Sequence, residues 1–377
     1  VSPKEAKLMV SQYQVECFNS LEACRETWHQ FESTAEHYLF QSYSWQHCWY
    51  DKVGHTKVEP RIIVVRQGSN ATVLLLPLCI QRRRGLRELT FMGGLVTDYH
   101  APMIAADWQP SEIEFVALWQ QIRLAVSGFD LVWFEKQPKL VNNVVNPLSR
   151  LFQKEMALSH SLTLDAPWQE LYQHKVSKRI RADSRRQLKR LNEVGELKFE
   201  VEVTAERASQ IIDKMIEQKR SRYKNMGVYD LFDEVGYQQF FTSLHQHWQA
   251  PGKVHISAFS VNDTIIATHW GLVDQARFYY LMPSYEAGDW AKFSAGRLLL
   301  EEMIQWSIDN GLQEFDFSFG DEAYKKSWCD VSTPLFLSVQ ANSILGKSAY
   351  LAWSLSEKLK SIKWLKALVQ RVRGKKK

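Results

Sequence analysis

The run Ser294-Ala295-Gly296-Arg297 opens a segment whose apolar residues have helical spacing, and its small side chains leave a helix N-terminus uncovered. The first amides of such a terminus lack intrahelical partners and its dipole end is positive, so it suits a phosphate. That chemistry points to a phosphorylated cofactor or donor; the plainer alternative is a helix cap and a close packing point. A second basic feature is KVSKRIRADSRRQLKRLNEVG, where Lys178, Arg179, Arg181, Arg185, Arg186, Lys189 and Arg190 face Asp183 as the lone acid between them. Arginine in that excess suits bidentate phosphate contacts, although charge runs also serve as solvated helix faces. His269 stands among apolar residues in IIATHWGLV, as an imidazole that can titrate near neutrality or as a core histidine. Asp98, Tyr99 and His100 follow a Gly-Gly turn in GGLVTDYHAP, and loops carry function more often than strands. Asp98 could equally stabilise the turn. The sequence has no GxxxxGK[ST] loop, GxSxG elbow, HExxH pair or Cys/His metal cluster. His245 and His247, two residues apart, do not share a helix face.

Elements must position these groups. RFYYLMPSY is aromatic and β-prone. In SAGRLLLEEMIQWSIDNG, Leu299, Met303 and Trp306 repeat at helical spacing, which predicts a helix over 294–310 with Ser294 as its cap and Gly311 as its C′ residue. EFDFSF then alternates Phe315, Phe317 and Phe319 with Asp316 and Ser318, as a strand does. Earlier, residues 61–134 offer the strands RIIVVRQG, ATVLLLPLCI and ELTFMGGLV, a helix from Ser111 to Val126, and the strand FDLVWFE. Residues 253–319 repeat that order with KVHISAFS, DTIIATHWGLV, RFYYLMPSY, the helix and EFDFSF. Two α/β units in tandem follow from the repeat. Between them, Asn142 to Ala157 reads as helix and SHSLTLD as a strand closing the first unit. Helices are also expected at the basic run and from Ala205 to Met226. After Ser338 the chain reads as an amphipathic helix with Trp353, Leu355, Leu359, Ile362, Leu365 and Leu368, ending in RVRGKKK.

Composition sets outer bounds. A chain of 377 residues exceeds the size of most single cores, and 45% apolar with 24% charged residues is an ordinary globular balance. The 14 tryptophans read chiefly as core, and the net charge of +5 favours local basic patches over a nucleic-acid-coating surface. Five cysteines without CxxC spacing disfavour a disulfide framework or a zinc site. With no apolar leader and no long apolar span in the sequence, a cytoplasmic protein is expected.

The basic helix, RFYYLMPSY, the 294–310 segment and EFDFSFGDEAYKKSW together resemble the acetyltransferase-like domain of the GNAT superfamily, in its FemAB-like branch associated with cellulose and exopolysaccharide biosynthesis clusters. The Gly-Asp/Glu turn and the Tyr-Lys-x-x-Trp helix start are the most specific parts. The resemblance spans roughly 170–330, and LPLCIQRRRG, ELTFMGG and TDYHAP look like the upstream half of the same proteins. It implies an α/β (α+β) protein of two tandem GNAT-like domains, each a mixed twisted sheet flanked by helices. The expected divisions are 1–165 and 166–337, with a basic helical tail over 338–377.

The resemblance implies acyl transfer from acyl-CoA as co-substrate, or from aminoacyl-tRNA in the Fem proteins proper, without a metal. It implies a pantetheine against Phe278–Tyr285, at Tyr280 and Met282, and a pyrophosphate at Ser294, Ala295, Gly296 and Arg297. Only Gly296 remains of the glycine-rich loop usual in GNAT enzymes. Tyr324 matches the position of a tyrosine that protonates the departing thiolate, and Asp316, His269 and Asp98 are candidates for base or orienting group. Tyr99, His100, Arg185 and Lys325 are candidate acceptor contacts. The expected acceptor is a hydroxyl or amine of an envelope or exopolysaccharide precursor, met between the halves, with no DNA. The Lys/Arg-rich tail suits an anionic membrane surface, which would place the protein peripherally at the inner membrane. Two rivals stand beside this reading: an aminoacyl-tRNA-dependent transferase, with tRNA as partner, and a non-catalytic scaffold of a polysaccharide machine.

Overall fold

The apolar runs of both halves become neighbours in one sheet. The computed structural model describes residues 12–68, 70–201, 203–248, 252–320 and 322–361. The strands along the main path of its sheet are β1 (Tyr13–Phe18), β2 (Val58–Gln67), β3 (Ala71–Arg83), β4 (Leu86–Phe91), β5 (Leu131–Pro138), β6 (Lys154–Thr163), β7 (Leu197–Val201), β8 (Lys253–Val261), β9 (Thr264–Val273), β10 (Arg277–Tyr279), β11 (Glu314–Phe319) and β12 (Val331–Ala341). The helices are α1 (Arg25–Glu32), α2 (Tyr43–Trp49), α3 (Glu112–Val126), α4 (Trp168–Lys175), α5 (Lys178–Val194), α6 (Ala205–Met226), α7 (Val235–His247), α8 (Ala295–Asp309), α9 (Lys325–Trp328) and α10 (Ile344–Ser361). The sheet runs β1-β2-β3-β4-β5-β12-β6-β11-β10-β9-β8-β7.

The repeat read from the sequence is present in the connections. In the first half α3 carries the chain from β4 to β5, which pair in parallel, and in the second α8 carries it from β10 to β11, also parallel. The other ladders along the path are antiparallel. Local signals agree with these helices. Ser111 and Glu114 form a reciprocal cap at the start of α3, and Gly311 (φ +73°) follows α8 in the left-handed conformation that glycine tolerates. Most of the aromatic surplus is core, with Trp28, Trp45 and Trp270 at most 1% exposed.

Three expectations fail locally. Residues 142–157 are not helical: Leu140–Val141 and Val144–Val145 form a small hairpin, a 3₁₀ turn spans Pro147–Leu151, and β6 begins at Lys154. Asn142 takes φ +50°, and the Asn146 side chain accepts the Leu148 amide just beyond Pro147, so turn chemistry overrides the helical spacing. Ser294 does not cap α8 with its side chain. It sits at φ +56°, joining the helix to a preceding 3₁₀ turn over Gly288–Phe293. The chain after Ser338 first completes β12, pairing Ser338 with Phe134 and Ala341 with Leu131, before α10 starts at Ile344. Ile362, Leu365 and Leu368 lie outside the described residues.

SHSLTLD is a strand, but it does not close the first unit alone. β6 lies between β12 and β11, both from the second half, and β12 lies between β5 and β6. Each half therefore places its final strand against the other half.

Candidate functional site

The strand expected over RFYYLMPSY is interrupted, and the interruption makes a cavity. β10 pairs with β11 only through Arg277↔Glu314, Phe278↔Phe315 and Tyr279↔Asp316. The Tyr280 amide still donates to Asp316 O (2.8 Å), but the Met282 amide turns away to Trp270 O (2.9 Å). Leu272 and Thr268 are four positions apart on β9, whereas their partners Tyr279 and Ser284 are five apart, so one residue is extra. It falls at Leu281, between the two amides that turn to opposite neighbours. A bulge of this kind bends its strand and leaves a residue out of the ladder. β11 departs on the other side, where Ser318 takes φ +60° and Gly320 φ +121°.

The fork between the parted strands opens into a cavity of about 740 Å³, lined at its base by Tyr280, Leu281, Phe317 and Ser318. Such a volume suits a cofactor or a small substrate. α6 contributes Lys219 and Arg222, α8 Gly296 and Arg297, and α9 Lys325 with Tyr324 at its cap. Asp98 comes from the first half. Cations outnumber acids around it, which favours an anionic ligand.

Of the residues singled out in the sequence, Asp98, Tyr280, Gly296, Arg297, Tyr324 and Lys325 line this cavity. Asp98 is half-buried, 3.7 Å from the Lys136 ammonium, and burial raises its carboxyl pKa against the pull of Lys136 and Lys325. Tyr324 is 40% exposed, and burial of its phenol together with Glu322 raises its pKa, keeping the proton in place. Lys325 is buried and holds its own turn closed, donating to Phe319 O (3.0 Å) and pairing with Glu322 (2.9 Å).

Asp316 lies behind the cavity wall, 2% exposed. Its carboxyl accepts the Tyr99 hydroxyl (2.8 and 2.9 Å) and the Ser318 amide (2.7 Å), so a residue of each half meets there. Burial pushes its pKa up to about 7, although Arg277 opposes the shift.

The other candidates are elsewhere. His269 is fully buried, stacked on Tyr280 at 4.9 Å with both ring nitrogens unpartnered, and burial and the neighbouring His255 hold its pKa well below the ordinary value. It is a core imidazole. His100 is buried against Phe91 with Nδ1 at Glu135 O, and burial pushes its pKa down to about 3. Tyr99 is likewise buried away from the opening. Met282, Ser294 and Ala295 do not line the cavity, and Arg185 stands on the exposed face of α5.

The helix terminus expected to hold a pyrophosphate is crowded. A Cβ on Gly296 would come within 2.6 Å of Tyr285 Cδ1, and the Arg297 guanidinium is already bonded to Asp183 (2.6 Å). Lys219 and Arg222 escaped the sequence reading. Lys219 is 9% exposed with no acid within ion-pair distance among the described residues, and burial, with Arg222 nearby, pushes its pKa down to about 8. Its signal was its place: it continues the buried stripe of Ile212, Met215 and Ile216, where a lysine has no packing reason to be.

Residues 178–326 match the family model described as an acetyltransferase (GNAT) domain. The matched stretch holds the fork, Lys219, Tyr324 and Lys325, and leaves Asp98, Tyr99 and β12 outside. No curated protein sequence matches the chain. Among solved structures, FemX is 12% identical and superposes with a TM-score of 0.61 over 87% of this chain and 97% of its own. A conserved protein of unknown function from Bacteroides thetaiotaomicron VPI-5482 is 11% identical, with a TM-score of 0.51 over 86% of this chain and 99% of its own. At these identities the likeness is one of fold, a mixed α/β sheet flanked by helices of the GNAT kind.

Proposed function

We propose that the chain transfers an acyl group from acyl-CoA to a hydroxyl or amine of a saccharide or other envelope precursor, in the cavity of the parted strands. The fork at Leu281 carries the reading: a bulged strand beside a cationic cavity, inside the segment that matches an acetyltransferase domain. The thioester arm lies along Tyr280–Pro283, where the parted strands leave backbone groups to pair with it. The Leu281 amide donates to the thioester oxygen as negative charge develops on it. Lys219 and Arg222 hold phosphate charge that the crowded α8 terminus has little room for.

The acceptor enters between Asp98 and Tyr324. Its O–H or N–H adds to the thioester carbon while Asp98, with its raised pKa, takes the proton. The C–S bond then breaks and Tyr324, still protonated, delivers its proton to the thiolate. Exchange with solvent returns the proton from Asp98 to Tyr324. Asp316 acts indirectly, by fixing the Ser318 turn and tying Tyr99 to it.

Native mass spectrometry and calorimetry with a panel of acyl-CoA species provide the test. One acyl-CoA per chain is expected to bind, and Tyr324→Phe should slow its turnover by about 10²–10⁴-fold with affinity retained. Absence of any acyl-CoA binding to the folded protein would overturn the reading. A specific observation keeps one rival in view: Lys178, Arg179, Arg185 and Lys189 stand exposed along α5, whose Ser177 and Ile180 line the same cavity. An aminoacyl-tRNA donor would use that face, and its binding in place of acyl-CoA would select it.

A further inference from the structure

The last described helix presents two unlike sides. Inward, Trp353 packs edge-on against Trp133 of β5, with 6.0 Å between ring centroids, and Tyr350 and Trp353 pack against Leu337 and Val339. Glu357 pairs with Lys154 of β6, so α10 is fastened along its length. Outward, Leu351, Leu355 and Leu359 follow one another at single-turn spacing and are 60%, 60% and 50% exposed, with Ile344 at 84% before them. These three leucines stand outside the hydrophobic clusters of the described residues.

Cations prevail near that stripe, and the acids Glu357 on the helix and Glu88 beside the hairpin are each already set against a cation. Arg82, Arg83 and Arg84 form the exposed tip of the β3–β4 hairpin, and the Arg83 guanidinium lies 5.9 Å from the centroid of Trp133, the ring that Trp353 packs against. The hairpin and the helix are thus joined through one indole. Past Ser361 the sequence continues for 16 residues with Lys363, Lys366, Arg371, Arg373, Lys375, Lys376 and Lys377 and no acid. Among the described residues no helix is long and apolar enough to cross a membrane.

We propose that α10 lies in the surface of an anionic lipid bilayer, its leucines at the acyl boundary and the hairpin arginines against lipid phosphates. An apolar stripe fastened beside a cationic rim is the pattern of an interfacial helix. A second copy of the chain would cover the leucines but set like charges against each other. A nucleic acid would satisfy the arginines and leave the leucines in water. Only an anionic apolar surface satisfies both, and the docking does not depend on the reaction proposed above.

The test uses the full chain and co-sedimentation with vesicles of phosphatidylcholine alone or containing phosphatidylglycerol. Binding to the anionic vesicles is expected to be at least about tenfold stronger and to fall as salt screens it. Leu351→Asp with Leu355→Asp, and separately Arg82→Glu with Arg84→Glu, should each lower it by about tenfold or more, with melting temperature unchanged because these side chains are exposed. Equal binding to both vesicles, no binding, or binding indifferent to salt would overturn the proposal. So would a dimer that the leucine substitutions dissolve while vesicle binding stays as it was.

Discussion

Asp316 shows how one buried group can matter without touching a ligand. Its folded pKa is raised to about 7, with burial as the main cause, while the unfolded chain titrates in the ordinary carboxylate range near 4. The folded state therefore keeps a proton that the unfolded state releases. The stability contributed by that proton is complete below the unfolded pKa and is lost as pH rises from about 4 to 7. Asp316→Asn, uncharged at every pH, should lack this slope and still accept the Tyr99 hydroxyl through its amide oxygen. Denaturant unfolding at about pH 5 and pH 8 should show wild type losing stability relative to the variant by up to about 3 kcal/mol, since about two-thirds of the loss between pH 4 and 7 falls between those measurements, at about 1.36 kcal/mol per pH unit. A relative gain for wild type at the higher pH would mean that Arg277 and the hydrogen bonds favour the carboxylate after all. Lys219 belongs beside Asp316, since both are buried in places where packing alone would choose an apolar residue.

The N-terminus of α8 is where sequence pattern and geometry part most clearly. Small residues there read as room for a phosphate, yet the room at Gly296 is filled by the Tyr285 ring, which in turn lies 5.6 Å beneath the Arg222 guanidinium. Gly296→Ala should push that ring into the cavity and weaken acyl-CoA binding by about tenfold, the size of a modest overpacking penalty. Adding Tyr285→Ala should recover much of the loss, because the collision then disappears. Calorimetry showing wild-type affinity for Gly296→Ala would place the donor away from this terminus. Helices α3, α5, α6 and α8 and the strands that α3 and α8 connect were legible because their cues are local: apolar spacing, the Ser111–Glu114 cap, the Gly311 stop. The bulge at Leu281 was not, because RFYYLMPSY keeps its aromatic, β-prone character straight through it. Only the pairing partners Thr268 and Leu272 reveal the extra residue. The same blindness to partners made Asn142–Ala157 look helical and hid the Tyr99–Asp316 contact, which joins residues 217 apart in sequence.

At the scale of the molecule the two halves are repeats in pattern but not independent in pairing. β6 is made by the first half and sits on β11 of the second, while β12 is made by the second half and sits on β5 of the first. The expected division near residue 165 therefore cuts between elements in sequence but through the sheet in space. Residues 1–165 expressed alone would keep β5 and β6 yet lose β12, the strand that separates and pairs with both. Three ladders' worth of backbone donors and acceptors, β5–β12, β6–β12 and β6–β11, would be exposed, and open apolar edges of that length favour aggregation over a stable unit. The full chain should consequently unfold in a single calorimetric transition, and the 1–165 fragment should show none that is cooperative. A fragment that melts cooperatively at the temperature of the full chain would show that the exchanged strands decorate two self-sufficient domains. The exchange also bears on the site: β6 and β12 bridge the half that supplies Asp98 and the half that supplies Tyr324, so loosening them moves two sides of one cavity apart. An acyl-CoA that spans the fork should then raise the melting temperature of the whole chain and not of a part, with the transition remaining single as ligand is added.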